Sequence, residues 1–181
     1  IKAYRFSMNW ARILPEGTGR VNEKAIAMYR DMIVTMKENG ITPYITMFHW
    51  ELPQALQVKG GWLNPQIVDW FGEYARVVAE NFADLCDYFI TINEPQCVVG
   101  LGHLSAVHAP GVRHTITDTF RIAHNLLKAH GQAVINLRKY AGRPIKVGYA
   151  PTGGVAYPYT DSPEDIEAAR KVYFGFYNPL D

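Results

Sequence analysis

Residues 88–95 read Tyr88-Phe89-Ile90-Thr91-Ile92-Asn93-Glu94-Pro95, a β-branched and aromatic run closed by an amide, a carboxylate and a proline. The run spells a buried strand, and the proline forbids further ladder pairing, so Glu94 falls where strand gives way to loop. A rigid element thus holds a carboxyl group at a rim, as a proton donor requires. Lone glutamates are mostly solvated, so the tripeptide by itself leaves an exposed loop residue as the rival reading.

Three similar runs cover Ala3 to Ser7, Thr42 to Phe48 and Ile145 to Ala150. Helical patterns separate them. The first opens at Asn22 and carries Ile26, Tyr29, Ile33 and Met36 on one face before Asn39-Gly40 stops it. The second opens at Asn64-Pro65, with Val68, Phe71, Ala75, Val78 and Phe82 inward. The third runs from about Thr115 to Tyr140, with Phe120, Ala123, Leu127, Val134 and Leu137 inward, and Ser162-Pro163-Glu164 starts a fourth that is cut short at Asp181. Strand–helix alternation predicts an α/β fold with parallel strands, either an open doubly wound sheet or a TIM barrel. No Gly-x-Gly-x-x-Gly turn follows a strand, which counts against the dinucleotide-binding open sheet. Polar and aromatic segments after the strands, Asn9-Trp10, His49-Trp50-Glu51 and Asn93-Glu94-Pro95, have the character of a barrel's catalytic face. At roughly 45 residues per unit, eight units need about 360 residues. The expectation is therefore a partial (β/α)8 barrel of four units, with residues 1–181 forming one domain truncated at both ends.

Composition excludes other classes. With 48% hydrophobic, 13% aromatic and 19% charged residues, the chain is not disordered. Eighteen Lys+Arg against 17 Asp+Glu, without long runs of either sign, argue against nucleic-acid or acidic-membrane partners. No stretch approaches the ~20 apolar residues of a membrane span. Cys86 and Cys97 flank a strand about 20 Å long, beyond the roughly 7 Å reach of a disulfide, and read as buried free thiols in a reducing compartment, the cytoplasm. The chain opens at Ile1, inside a strand and without Met, so an upstream segment able to carry a signal is expected. No cofactor or metal is expected: His103, His108 and His114 fall in a loop without ligand spacing, and His124 and His130 lie on separate helix faces.

Two more strands end in chemistry. Thr46-Met47-Phe48-His49-Trp50-Glu51 places an imidazole and a large aromatic face after an apolar run; a rim histidine satisfied by backbone is the plainer reading of His49. Glu51 is the rival acid, expected to face the loop. Arg5 stands within a strand, where an unpaired charge costs several kcal/mol, so a buried anion is implied that no sequence neighbour supplies.

Together these stretches resemble glycoside hydrolase family 1, the β-glucosidase family. Supporting segments are Tyr4-Arg5-Phe6-Ser7 with Trp10, Arg12-Ile13-Leu14-Pro15-Glu16-Gly17, Asn39-Gly40-Ile41-Thr42-Pro43 and His49-Trp50-Glu51-Leu52-Pro53-Gln54. Gly60-Gly61-Trp62-Leu63-Asn64, Thr91-Ile92-Asn93-Glu94-Pro95 and His108-Ala109-Pro110-Gly111 complete them. The resemblance implies a retaining β-glucosidase whose visible strands match the second to the fifth. It casts Glu94 as acid/base, Asn93 as the amide on the sugar 2-hydroxyl, His49 and Trp50 as glycone contacts, and Arg5 as the partner of the nucleophile. Gln96 stands where many members have Trp. The nucleophilic Glu-Asn-Gly motif has no counterpart in these residues, so the implied chain carries the acid/base alone and is inactive in isolation.

The implied substrate is a β-glucoside or small oligosaccharide. Rival readings are a 6-phospho-β-glucosidase, an endo-acting cellulase, and an inactive half-barrel acting as a folding or association module. Glu94 and His49 are expected on one face with Arg5 in reach of both. Half a barrel also exposes two strand edges and an apolar face fed by Phe6, Ile45, Phe89, Ile92 and Val147, so self-association or a requirement for the other half is expected.

Overall fold

Apolar spacing dictates the layers. The computed structural model describes residues 1–175. Four strands, β1 (Ala3–Ser7), β2 (Thr42–Phe48), β3 (Tyr88–Asn93) and β4 (Lys146–Ala150), alternate with helices. The helices are α1 (Trp10–Ile13), α2 (Glu23–Glu38), α3 (Gln54–Gln57), α4 (Ile67–Phe82), α5 (Pro95–Cys97), α6 (Ile116–Tyr140) and α7 (Pro163–Gly175). A 3-10 turn at Gly61–Leu63 and a π-helical stretch at Val98–Leu104 complete the elements. All strand pairs are parallel, in the order β1-β2-β3-β4. A doubly wound sheet reverses its strand order at a switch point. Here the order never reverses, which is the topology of a barrel segment.

The helix faces follow from the sequence to different degrees. On α2, Ile26, Tyr29, Ile33 and Met36 are buried, as their spacing predicts. On α4, Phe71, Ala75, Val78 and Phe82 are buried and Val68 is half-buried. This helix starts at Ile67, later than Asn64-Pro65 suggests, because Asn64 Oδ1 accepts from the Gln66 amide at 2.9 Å and closes a separate turn first. On α6 the expected face is displaced: Phe120 and Leu127 are each 56% exposed, while Thr119, Ile122, Leu126, Ala129, Ala133 and Leu137 point inward. The reason is the neighbour. α6 packs mainly on α4, where small and polar groups meet: Asn136 donates to the Gly72 carbonyl at 2.8 Å, and a Cβ on Gly72 would lie 2.8 Å from Gln132 Cγ. Small residues permit this close approach, and the large ones are left outside.

The sheet corrects a second expectation. Phe6, Ile45, Phe89 and Val147 do stand opposite one another in register. However, Ile45 and Ile92 are fully buried and Phe89 is 1% exposed, within the same core as the α2 and α4 side chains. This row faces the helices, and Arg5, Tyr44 and Tyr88 occupy the row beside it. Among the described residues β1 and β4 each pair on one side only.

Ile1–Pro151 form one compact unit, and a second begins at Thr152. In the second, Ser162 Oγ accepts from the Asp165 amide at 3.1 Å, and Asp165 Oδ2 accepts from the Thr160 amide at 2.9 Å. The first bond satisfies a free donor in the first turn of α7, and the second ties the preceding turn to that helix. The stretch toward Asp181 expected to continue this helix lies outside the described residues.

Trp10 anchors the first unit. Its indole is fully buried, stacks on Tyr74 at 5.1 Å and donates to the Gly17 carbonyl at 2.9 Å. Gly17 sits at φ 80°, and a Cβ there would lie 2.3 Å from Leu56 Cγ, so only glycine fits. Trp10→Ala is expected to cost about 3–5 kcal/mol, whereas Phe120→Ala on the exposed face of α6 should stay within about 0.5 kcal/mol. Denaturant unfolding of the two variants checks both values.

Candidate active site

The C-terminal ends of three neighbouring strands converge on one amide. Asn93, the last residue of β3, is 2% exposed. Its Oδ1 accepts from Arg5 Nη2 at 2.5 Å, and its Nδ2 lies 3.0 Å from His49 Nε2. Its carbonyl accepts from the Trp50 indole at 3.1 Å. Because the amide oxygen faces the guanidinium, the NH2 group faces the imidazole, and His49 Nε2 must accept. The bonding network therefore assigns the neutral His49 ring its proton on Nδ1.

Arg5 is held a second time. Its Nε donates to Thr46 Oγ1 at 2.7 Å. Both partners are neutral, and among the described residues no carboxylate forms an ion pair with it. The arginine is also exposed rather than buried, because β1 is an edge strand here.

Two rim residues adopt left-handed backbone, Trp50 at φ 87° and Glu94 at φ 43°. For non-glycine residues such conformations cost about 1–3 kcal/mol each and persist only where surrounding contacts impose them. The contacts are visible for both. Trp50 is tied to Asn93 by its indole and lies between the His49 and His108 rings, each 5.1 Å away. The Glu94 amide donates to the Ala150 carbonyl at 2.7 Å, and its carbonyl accepts from the Cys97 amide at 2.9 Å, opening α5 at Pro95. The half-buried Glu94 carboxyl receives the Cys97 thiol at 3.5 Å on Oε2.

Glu51 does not face open loop. It lines a cavity of about 140 Å³ together with Trp50, Gln57, Trp62, Cys97 and His103. Burial pushes its carboxyl above the usual range, opposed by backbone hydrogen bonds and the nearby His49. His103 is also relocated: it lies within the π-helical stretch, 1% exposed, not in a loop. Burial, then the neighbouring His114, lowers its imidazole to about 4. Thr46, Cys97 and His108 touch the site residues without having been singled out for a role. Only His108 carried a signal, in His108-Ala109-Pro110-Gly111. Among the described residues no group of three or more His, Cys, Asp or Glu could hold a metal ion, and no helix is long and apolar enough to cross a membrane.

Comparison with known proteins converges on one family. The profile of Glycosyl hydrolase family 1 matches residues 1–179. Beta-glucosidase A of Thermotoga maritima is 50% identical over 99% of this chain and 41% of its own length. Beta-glucosidase A of Acetivibrio thermocellus is 44% identical over 94% of this chain and 38% of its own. The β-glucosidase from Thermotoga maritima in complex with deoxynojirimycin superposes with a TM-score of 0.86 at 52% identity, over 94% of this chain and 38% of that one. The chain thus spans about two fifths of the length of these relatives.

The buried imidazole makes stability pH-dependent. His103 titrates near 6.5 when unfolded and about 4 when folded, so the unfolded chain binds more protons between those values. Its contribution is fully present above pH 6.5 and is lost as pH falls toward 4. His103→Gln should flatten the urea midpoint across this window, measured against the parent chain.

Proposed function

This chain belongs to glycosyl hydrolase family 1, and we propose that it carries the acid/base half of a retaining β-glucosidase site, with Glu94 as the proton donor. The observation that supports this most is the position of Glu94: next to the Asn93 amide that joins the ends of β1 and β2, with one carboxyl oxygen already taken by a thiol. Retaining hydrolysis needs two carboxyl groups about 5–5.5 Å apart, one protonating the leaving oxygen and one attacking the anomeric carbon. Glu94 gives its proton to the leaving oxygen, then takes one from the water that releases the sugar. Asn93 offers an amide to the 2-hydroxyl, a bond that strengthens as positive charge develops on the ring. His49 and Trp50 contact the glycone, with Trp50 giving a flat apolar face to the sugar C–H groups.

Arg5 pairs with the nucleophile, which lies outside these 181 residues. The neutral partners of Arg5 support this, because a guanidinium beside a carboxylate would make a stronger bond than either. The substrate is a β-glucoside or small β-linked oligosaccharide rather than a 6-phosphorylated one. Support comes from the relatives, which bear β-glucosidase names.

In a polypeptide that also carries the nucleophile, Glu94→Gln should lower kcat by about 10²–10⁴-fold on an alkyl β-glucoside. The loss in the sugar-transfer step should be far smaller on a dinitrophenyl β-glucoside, whose leaving group needs no proton. Equal losses on both substrates, measured by pre-steady-state release, would reassign Glu94.

A polypeptide of these 181 residues alone should show no glycosidase turnover, since no glycosyl–enzyme ester can form. It should also associate through the open edges of β1 and β4. An aryl β-glucoside assay checks the first statement. Sedimentation at micromolar concentration checks the second, and a sharply folded monomer would contradict it.

A further inference from the structure

The cavity behind Trp50 gathers polar atoms that the protein itself does not satisfy. Trp62 Nε1, Gln57 Oε1 and both ring nitrogens of His103 are buried without a hydrogen-bond partner, and all three side chains line it. Trp62 and His103 are each 1% exposed. A buried polar group left unpaired costs about 1–3 kcal/mol, so several around one space point to an occupant that pairs with them. The backbone is built for the arrangement. Gly61 sits at φ 50°, and a Cβ there would fall 2.4 Å from Gln57 Oε1, so a glycine leaves room for that amide.

The lining chemistry defines the occupant. It contains no lysine or arginine, which argues against an anion, and a single carboxylate, Glu51, while among the described residues no three His, Cys, Asp or Glu side chains are placed to hold a metal, which argues against a divalent cation. The imidazole is neutral at pH 7 because burial lowers it to about 4. A bare hydrocarbon would leave every polar atom unpaired. What remains is a donor, an acceptor and a group able to play either part, in a space that the Trp50 and Trp62 side chains also line. Hydroxyl groups both donate and accept, and C–H faces pack on aromatic rings. The volume of about 140 Å³ far exceeds the 10–15 Å³ that one water needs.

We propose that this cavity is a binding site for a small uncharged polyol, with the Trp62 indole donating to one hydroxyl, Gln57 Oε1 accepting from another and His103 bridging. Neither Glu94 nor Asn93 lines the cavity, which shares only Trp50 and Cys97 with the residues of the proposed acid/base site, and the assignment does not depend on the hydrolytic reading.

The test uses glycerol alone, titrated into the full chain labelled with ¹⁵N in its tryptophan and histidine rings. The Trp62 and His103 ring signals should move saturably, and the midpoint should be about tenfold higher in Gln57→Met, the effect of removing one hydrogen-bond partner. Glu94→Gln should leave the midpoint unchanged. If Gln57→Met does not fold, His103→Phe, read at Trp62, takes its place. Signals that stay still, or drift linearly with glycerol, would mean that the cavity holds only water and would overturn the proposal. Loss of saturation in Glu94→Gln would overturn it equally, by placing the polyol on the acid/base.

Discussion

The amide of Asn93 ties three strand ends together, and the geometry of the rim depends on it. Its oxygen faces Arg5 from β1 and its nitrogen faces His49 after β2, while its own carbonyl takes the Trp50 indole. An amide has a donor end and an acceptor end, and exchanging them would set its NH2 against the guanidinium and force His49 onto its other tautomer. A carboxylate at position 93 would keep Arg5 and lose the donor to His49; an apolar residue would lose both. One side chain therefore fixes the tautomer of a histidine and the direction of an arginine. It does so 2% exposed, where solvent cannot substitute for either partner.

Around this tie the architecture is simple. Parallel strands added in chain order, each followed by helical structure, place every strand end on the same side of the sheet. Residues distant in sequence, such as Arg5 and Asn93, thus become neighbours at the cost of crossovers that also form the core. Trp10, Phe71 and Tyr74 pack beneath the rim, and the Tyr74 hydroxyl donates to the Met47 carbonyl at 3.1 Å. Packing below and hydrogen bonding above are linked through β2.

How much of this was legible varies with the signal. Strand positions and the inward faces of α2 and α4 could be read directly, because large apolar residues mark them with the right period. The inward face of α6 could not, since its contact with α4 uses alanines and amides, which hydrophobic periodicity does not register. Nor could the sequence say which side of a parallel strand faces the helices: by alternation β2 carries large side chains on both faces, Tyr44 and Phe48 on one and Ile45 and Met47 on the other, and only the packed structure chooses. Asn93, His49, Trp50 and Glu94 stood out by their place at strand ends. The burial of His103 and the inward turn of Glu51 did not, because both follow from the path of the segments between residues 49–62 and 94–114, whose short helical turns carry no clear periodicity.

The left-handed backbone at Trp50 and Glu94 bears on how this chain tolerates change. Glycine or asparagine at either position would remove most of a strain of about 1–3 kcal/mol. In variants screened for folding alone, these two sites should therefore drift away from Trp and Glu. Screened for turnover in a polypeptide that also carries the proposed nucleophile, they should stay if the proposed roles hold. The gap between the two outcomes is a direct reading of how much stability the rim gives up to hold these two side chains.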